Sequence, residues 1–304
     1  ASLTKPVATA ASVMILVESG RLSLWDRVKT YIPSFVPYRD WFGKNGEDAR
    51  IWHLLTHTSG LPPYAEPEVA AKACGRPCPP SALAEYIAAL PKDNPPGEKF
   101  VYSCLGYITL AEIVRRVSGL SIDRFSAENI FEPLGLRRTF YNPDPKISAQ
   151  IVPTQILDGK PLLGVVHDPL ARLQEGISGN AGLFSTAKDL AVFGQMLLNK
   201  GEFRGRRIFS PAAVERMTSI YPRTEFSGRG LGWDLGSDYA SNGGDLFGPR
   251  SFGHTGYTGT SLWIDPDTKT IVVLLTNSVH PEDKGTIVPL RARVANIVAG
   301  AIVD

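Results

Sequence analysis

Residues 1–17 read Ala1-Ser2-Leu3-Thr4-Lys5-Pro6-Val7-Ala8-Thr9-Ala10-Ala11-Ser12-Val13-Met14-Ile15-Leu16-Val17. From Pro6 onward the apolar residues, Ala8, Ala11 and Ile15 among them, recur so densely that a helix here is apolar nearly all round, and such helices lie at the centre of a fold. Gly20 closes it. At its head Ser2 and Lys5 stand three residues apart, and positions i and i+3 at a helix start face one side. A lysine beside a serine hydroxyl can take its proton if burial or neighbouring cations lower the amine's pKa. The helix N-terminus adds backbone N–H groups near the reacting oxygen. Alone the pair says little, since Ser-x-x-Lys arises by chance roughly once per 300 residues.

Working outward, Ser23 with Asp26 starts a short element stopped by Pro33, and residues 51–56 form a short helix running into Ser59-Gly60-Leu61-Pro62-Pro63. Ser81 is placed to cap a helix reaching Leu90. Residues 105–117 make an amphipathic helix ended by Ser118-Gly119, and 121–130 make another. Residues 140–180 read as loop. Thr186 with Asp189 opens a helix through Leu198, and Ser210-Pro211 opens one more. After residue 230 the texture changes to β-branched and aromatic runs, read as strands over 231–235, 251–254, 260–264 and 270–276, with a closing helix over 286–303. The expected architecture is α+β: one domain over 1–304, with 1–20 and 230–304 forming an α/β lobe whose antiparallel sheet is flanked by helices. Residues 21–229 form a mostly helical lobe, and the ligand cleft lies between the two.

Composition narrows the function. The 304 residues are 43% hydrophobic, and 32 basic against 30 acidic residues leave a net charge of +2, which is not the balance of a nucleic-acid binder. No apolar run approaches the ~18 residues of a transmembrane helix. Walker, GxGxxG and HExxH signatures are absent, and no cofactor or metal is expected. His53 and His57 are four apart but lack the glutamate of a zinc helix, so they read as structural. Gly176-Ile177-Ser178-Gly179-Asn180 misses the GxSxG elbow at its last position. Cys74 and Cys78 flank Gly75-Arg76-Pro77, as free thiols, a small-loop disulfide or, with a second ligand pair lacking, a zinc site.

Two further elements join the Ser2–Lys5 pair. Tyr102-Ser103-Cys104 stands just before a helix, where a phenol can face a cleft and move a proton. His254-Thr255-Gly256, followed by Tyr257-Thr258-Gly259-Thr260, ends a strand, and the glycine lets a substrate lie close. In this order, and with His53-Leu54-Leu55-Thr56-His57-Thr58-Ser59-Gly60-Leu61 and Gly179-Asn180-Ala181-Gly182-Leu183-Phe184-Ser185-Thr186, the chain resembles the serine β-lactamase and penicillin-binding protein superfamily along essentially its whole length. The closer likeness is to the class C-like branch of β-lactamases, D-Ala-D-Ala carboxypeptidases and related esterases.

That resemblance implies a β-lactamase-like fold and a serine hydrolase working through a covalent acyl-enzyme on a β-lactam or D-Ala-type peptide. A carboxylesterase for small acyl esters and a non-catalytic penicillin-binding-like sensor or binding module are the alternatives. It implies Ser2 as nucleophile, Lys5 as its proton partner and Tyr102 as second base. Cys104, His254, Thr255, Gly256 and Tyr257 would line the substrate site, with the N–H groups of Ser2 and Tyr257 as oxyanion hole. His254 takes the place usually held by a lysine, and Cys104 that of an asparagine whose amide binds both lysine and substrate; a thiol is a weak donor. Family members carry a helix and the first sheet strands ahead of the nucleophile. The resemblance therefore implies that N-terminal strands are missing here and that an upstream segment or a partner chain completes the sheet and raises the activity. The partner otherwise expected is a small-molecule or peptide substrate. The residues leave the compartment open; the resemblance favours a periplasmic or extracellular one.

Overall fold

The computed structural model of the chain describes residues 1–237, 243–283 and 286–303. Its centre is the apolar N-terminal helix. Lys5 N–H bonds to Ser2 O at 3.0 Å and Thr4 N–H to Ala1 O at 3.0 Å, so the chain enters in a tight turn of i→i+3 bonds. It continues through a π-helical stretch, Lys5–Ala10, into α1, Ala11–Glu18. Val7, Ala8, Ala10, Ala11 and Val13 have no solvent exposure, as an all-round apolar helix requires. Helix α2, Cys104–Ser118, packs against this helix and ends at Gly119 in the left-handed conformation that favours glycine.

Two loops close over the central helix. Thr9 Oγ1 donates to Gly179 O at 2.8 Å, and Gly179 is wedged so tightly that an added Cβ would lie 2.0 Å from Tyr107 O. Gly232, at φ +93°, leaves room for Ala10, whose Cβ would stand 2.5 Å from a side chain there.

Among the described residues the main sheet has three antiparallel strands in the order β1 (Phe252–Thr255), β2 (Thr260–Asp265), β3 (Thr270–Leu275). Gly253 pairs with Trp263, and the missing side chain is what lets the indole lie across it. Helix α3, Ala187–Leu198, packs on β2 and β3, with Gly194 against Ile264 and Ile271. Thr186 caps it by accepting from Asp189 N at 3.2 Å, as its sequence predicts. Helix α4, Val288–Gly300, packs on β3 and is shorter than the predicted 286–303.

Other expectations need correction. Residues 231–235 form no strand: Asp234 makes isolated bridges to Arg229 and Gly253, while Gly232 at φ +93° and Gly236 at φ +146° break the extended run and Leu231 and Trp233 are both buried. The helix assigned to Ser81 starts earlier, at Pro80, with Pro79 at the cap position; proline's fixed φ suits the first turn. The 140–180 stretch is more than loop. Phe140–Tyr141 pairs with Leu183–Phe184, Ile156–Leu157 with Lys160–Pro161, and Asp168 caps the helix Pro169–Leu173. A helix over Pro67–Cys74 escaped the sequence reading, and its last residue forms a disulfide with Cys78.

Because Gly179 meets backbone rather than a movable side chain, Gly179→Ala should destabilise the fold by about 3 kcal/mol. Thr9→Val, which only strands the Gly179 carbonyl, should cost about 1–2 kcal/mol. Urea titrations of both variants check the order; a Gly179→Ala protein as stable as the parent would contradict it.

Candidate active site

The entry turn decides the position of Ser2. With i→i+3 bonds the side chains at i and i+3 nearly eclipse, and Lys5 Nζ donates to Ser2 Oγ at 2.9 Å. Lys5 has no solvent exposure, whereas Ser2 is half-buried and so reachable. The buried ammonium also donates to Asn180 O at 3.0 Å and lies 3.5 Å from Cys104 Sγ and 5.1 Å from the Tyr102 ring centre. Burial acts to pull the Lys5 pKa down, but the acidic groups of Cys104, Tyr102 and Asp168 and a hydrogen bond to Tyr102 outweigh it, and the balance lies above the ordinary lysine value. The expectation of a lowered amine is therefore corrected: Lys5 is an ammonium at rest, because it is surrounded by acceptors rather than by cations.

Tyr102 lies in the extended segment leading into α2. The His57 ring stacks on it with centroids 4.3 Å apart, and the His254 ring stands 6.0 Å away. The Arg229 guanidinium lies 5.6 Å from the same ring and forms a fully buried ion pair with Asp234 at 3.1 Å. Two cations and two imidazoles thus frame one phenol. Both imidazoles are neutral: burial first, then Arg229 and Lys5, hold His57 and His254 well below the ordinary histidine range. His254 Nδ1 sits 2.7 Å from Thr255 O, and its buried Nε2 has no hydrogen-bond partner among the described residues. A neutral His254 does not reproduce the charge of a lysine at that place.

The turn after β1 brings Gly256 against the head of the chain. A Cβ there would lie 3.0 Å from Ala1 Cβ and 3.5 Å from Ser2 N, so glycine is what allows the approach. Among the described residues neither Ser2 N–H nor Tyr257 N–H donates to a backbone partner. The Tyr257 ring itself is 65% exposed; its hydroxyl donates to Asp283 and its ring stacks on His167, so the side chain belongs to the rim. Thr255, the last residue of β1, is half-buried.

Ser2, Lys5, Tyr102 and Cys104 therefore meet at one point, with His254 beside the phenol and Gly256 beside Ser2. Nothing in the sequence assigns a role to Asn180, whose carbonyl holds Lys5, or to Arg229; Asn180 stands in the 179–186 stretch that carries the family resemblance, while nothing marks Arg229. An apolar cavity of about 320 Å³ opens next to this turn, but it is lined by Ala1, Leu3 and Thr4 with Leu183, Phe184 and Leu275, and not by Ser2, Lys5 or Tyr102. No group of histidine, cysteine or carboxylate side chains among the described residues is arranged to hold a metal, and no helix there is long and apolar enough to cross a membrane.

A serine hydroxyl on a buried lysine, beside a phenol and a strand end, is the equipment of a hydrolase that works through serine. The chain matches the Beta-lactamase family model over residues 1–296 and belongs to that family; it is a serine hydrolase. It is 33% identical over 303 residues to N-acetylmuramyl-L-alanine amidase of Bacillus subtilis, covering 92% of this chain and 67% of that protein. It is 34% identical over 306 residues to an Escherichia coli protein provisionally named D-alanyl-D-alanine carboxypeptidase, covering 92% and 68%. The solved structure of a hydrolase with promiscuous acyltransferase activity superposes with a TM-score of 0.73 at 23% identity, over 97% of this chain and 83% of that one, which shows the shared fold.

The buried histidines make stability depend on pH. Burial, and then Arg50, depress His53 to about 3, and His57 and His254 are depressed as well. Below the ordinary histidine pKa of about 6.5 the unfolded chain binds protons that the folded one refuses. Stability should therefore fall as pH drops below that value, by up to about 4 kcal/mol per pH unit for the three together. Urea unfolding at pH 7 and pH 5 measures this, and equal midpoints would refute neutral buried imidazoles.

Proposed function

We propose that the chain hydrolyses acyl compounds through an acyl-enzyme on Ser2. The observation that carries this is the 2.9 Å contact between Ser2 Oγ and a lysine with no solvent exposure. In this reading Ser2 Oγ attacks the acyl carbonyl while its proton passes to Tyr102, which acts as a phenolate opposite the Lys5 ammonium. The Lys5 ammonium orients Ser2 and offsets the negative charge of the Tyr102 oxygen until the proton arrives. The Ser2 and Tyr257 N–H groups receive the carbonyl oxygen as it becomes an oxyanion, a contact worth about 3–4 kcal/mol per donor. Tyr102 then gives its proton to the leaving group as the carbonyl–leaving-group bond breaks. A water then attacks the acyl carbonyl and gives its proton to the Tyr102 phenolate, which passes it to Ser2 Oγ as the acyl–oxygen bond breaks, releasing the acid and restoring both residues.

For the substrate we propose an amide of the D-Ala peptide type or a β-lactam, supported by the amidase and carboxypeptidase names of relatives 33% and 34% identical to this chain. A small ester is the second reading, favoured by two observations. Cys104 offers Lys5 a sulfur where the family's asparagine would offer a substrate an amide donor. His254, being neutral, supplies no fixed positive charge for a substrate carboxylate.

Intact mass after exposure to a fluorophosphonate and to a penicillin should show one adduct with each, mapped to Ser2 and lost in Ser2→Ala. An adduct on Ser59, Ser103 or Ser178 would sink the mechanism. Stoichiometric acylation without turnover would mark a sensor in place of a hydrolase.

Cys104→Asn should raise the rate on an amide-bearing substrate relative to a simple ester by about 5-fold, the equivalent of ~1 kcal/mol for one added hydrogen bond. An unchanged ratio would remove this side chain from the substrate site.

A further inference from the structure

His57 has an arrangement that the acylation chemistry does not use and that packing alone does not require. Its backbone sits at φ +59°, a left-handed conformation uncommon outside glycine and asparagine. It takes hold of the Tyr102 segment on both sides. Val101 N–H donates to His57 O at 2.9 Å, and Ser103 N–H donates to His57 Nδ1 at 3.0 Å. Between these two bonds the Tyr102 ring lies stacked on the imidazole, 4.3 Å away and 29° from parallel. The far side of the clamp is equally fixed, for Ser103 Oγ donates to Pro62 O at 2.6 Å and Cys104 N–H to Pro63 O at 2.9 Å. Nδ1 acts as an acceptor, so in the neutral ring the proton is on Nε2, a buried atom without a hydrogen-bond partner among the described residues.

We infer that His57 is a positioning residue that sets the Tyr102 phenol against Ser2, through an Nδ1 acceptor and a ring face that together fix the backbone and side chain of Tyr102. The inference rests on the reading that Ser2 is acylated and that Tyr102 takes its proton. An extended segment ahead of a helix has no ladder of its own, so a residue that accepts from both neighbours of Tyr102 replaces one. The strained φ is the local cost of bringing a carbonyl oxygen and a ring nitrogen of one residue to the same edge of the segment.

The test is the rate at which a fluorophosphonate labels Ser2, followed by intact mass over a range of probe concentrations. Asparagine tolerates positive φ and offers Oδ1 where histidine has Nδ1; leucine keeps bulk and offers no acceptor. His57→Leu should lower the saturating labelling rate about 100-fold, the loss that a shift near 1 Å of a reacting group brings, with the half-saturating probe concentration within about 2-fold of the parent. His57→Asn should recover at least 10-fold of that loss. If His57→Leu does not fold, exchanging Ser103 for its α-hydroxy analogue removes the same N–H donor while leaving His57 in place, and should slow labelling by about 10-fold or more. Leucine and asparagine variants that label alike per folded molecule, or an α-hydroxy protein that labels at the parent rate, would overturn the clamp. A parent that takes no label on Ser2 would instead overturn the acylation reading, and the inference with it.

Discussion

An ammonium without solvent exposure is expensive, several kcal/mol unless acceptors replace its water. Lys5 is such a group, and much of the architecture can be traced to providing those acceptors. Ser2 Oγ comes from the entry turn, Asn180 O from a loop and Cys104 Sγ from the start of α2. Each donor of an acceptor is held from behind. Thr9 grips Gly179, Thr4 Oγ1 accepts from Leu183 N at 3.1 Å, and Pro63 O fixes Cys104. The geometry at Ser2 is thus inseparable from the solvation of one buried charge.

The second cation is handled differently. Arg229 has its own carboxylate in Asp234, which is in turn satisfied by Gly236 N, Ser237 N and Ser237 Oγ. Its charge is compensated by a full carboxylate, whereas Lys5 is held by the Ser2 hydroxyl, the Asn180 carbonyl, the Cys104 sulfur and Tyr102. Of the two cations beside Tyr102, Lys5 is the one without a carboxylate in hydrogen-bond contact among the described residues. The imidazoles complete the frame with shape and hydrogen-bonding capacity but no charge.

What could be read from the sequence was what depends on neighbours in the chain. The shared face of Ser2 and Lys5, the burial of residues 7–13, the Thr186 cap and the three strands after residue 250 all follow from local periodicity or capping chemistry. The direction of the Lys5 pKa did not, because its acceptors arrive from positions 104 and 180. The run 231–235 has strand-like residues, yet Gly232 within it and Gly236 just after it, both at positive φ, turn it into a loop that packs on the central helix. Asn180 and His57 act through a backbone carbonyl and one ring nitrogen, groups that no motif singles out. Pro67–Cys74 escaped because its helix is short and ends at a cysteine placed in a loop by its proline-rich surroundings.

The bonds of Lys5 also carry a kinetic meaning. They close over sequence separations of 3, 99 and 175 residues, so one is local and two are among the longer loops in the chain. During refolding the short one can form within the entry turn while the other two wait for α2 and the 179–183 loop to dock. A half-folded chain would then own a serine and a lysine in register and still lack the surroundings that hold the ammonium in place. Under the proposed role of Ser2, competence for acylation is a late milestone of the folding reaction, a reporter of long-range closure and not of helix formation.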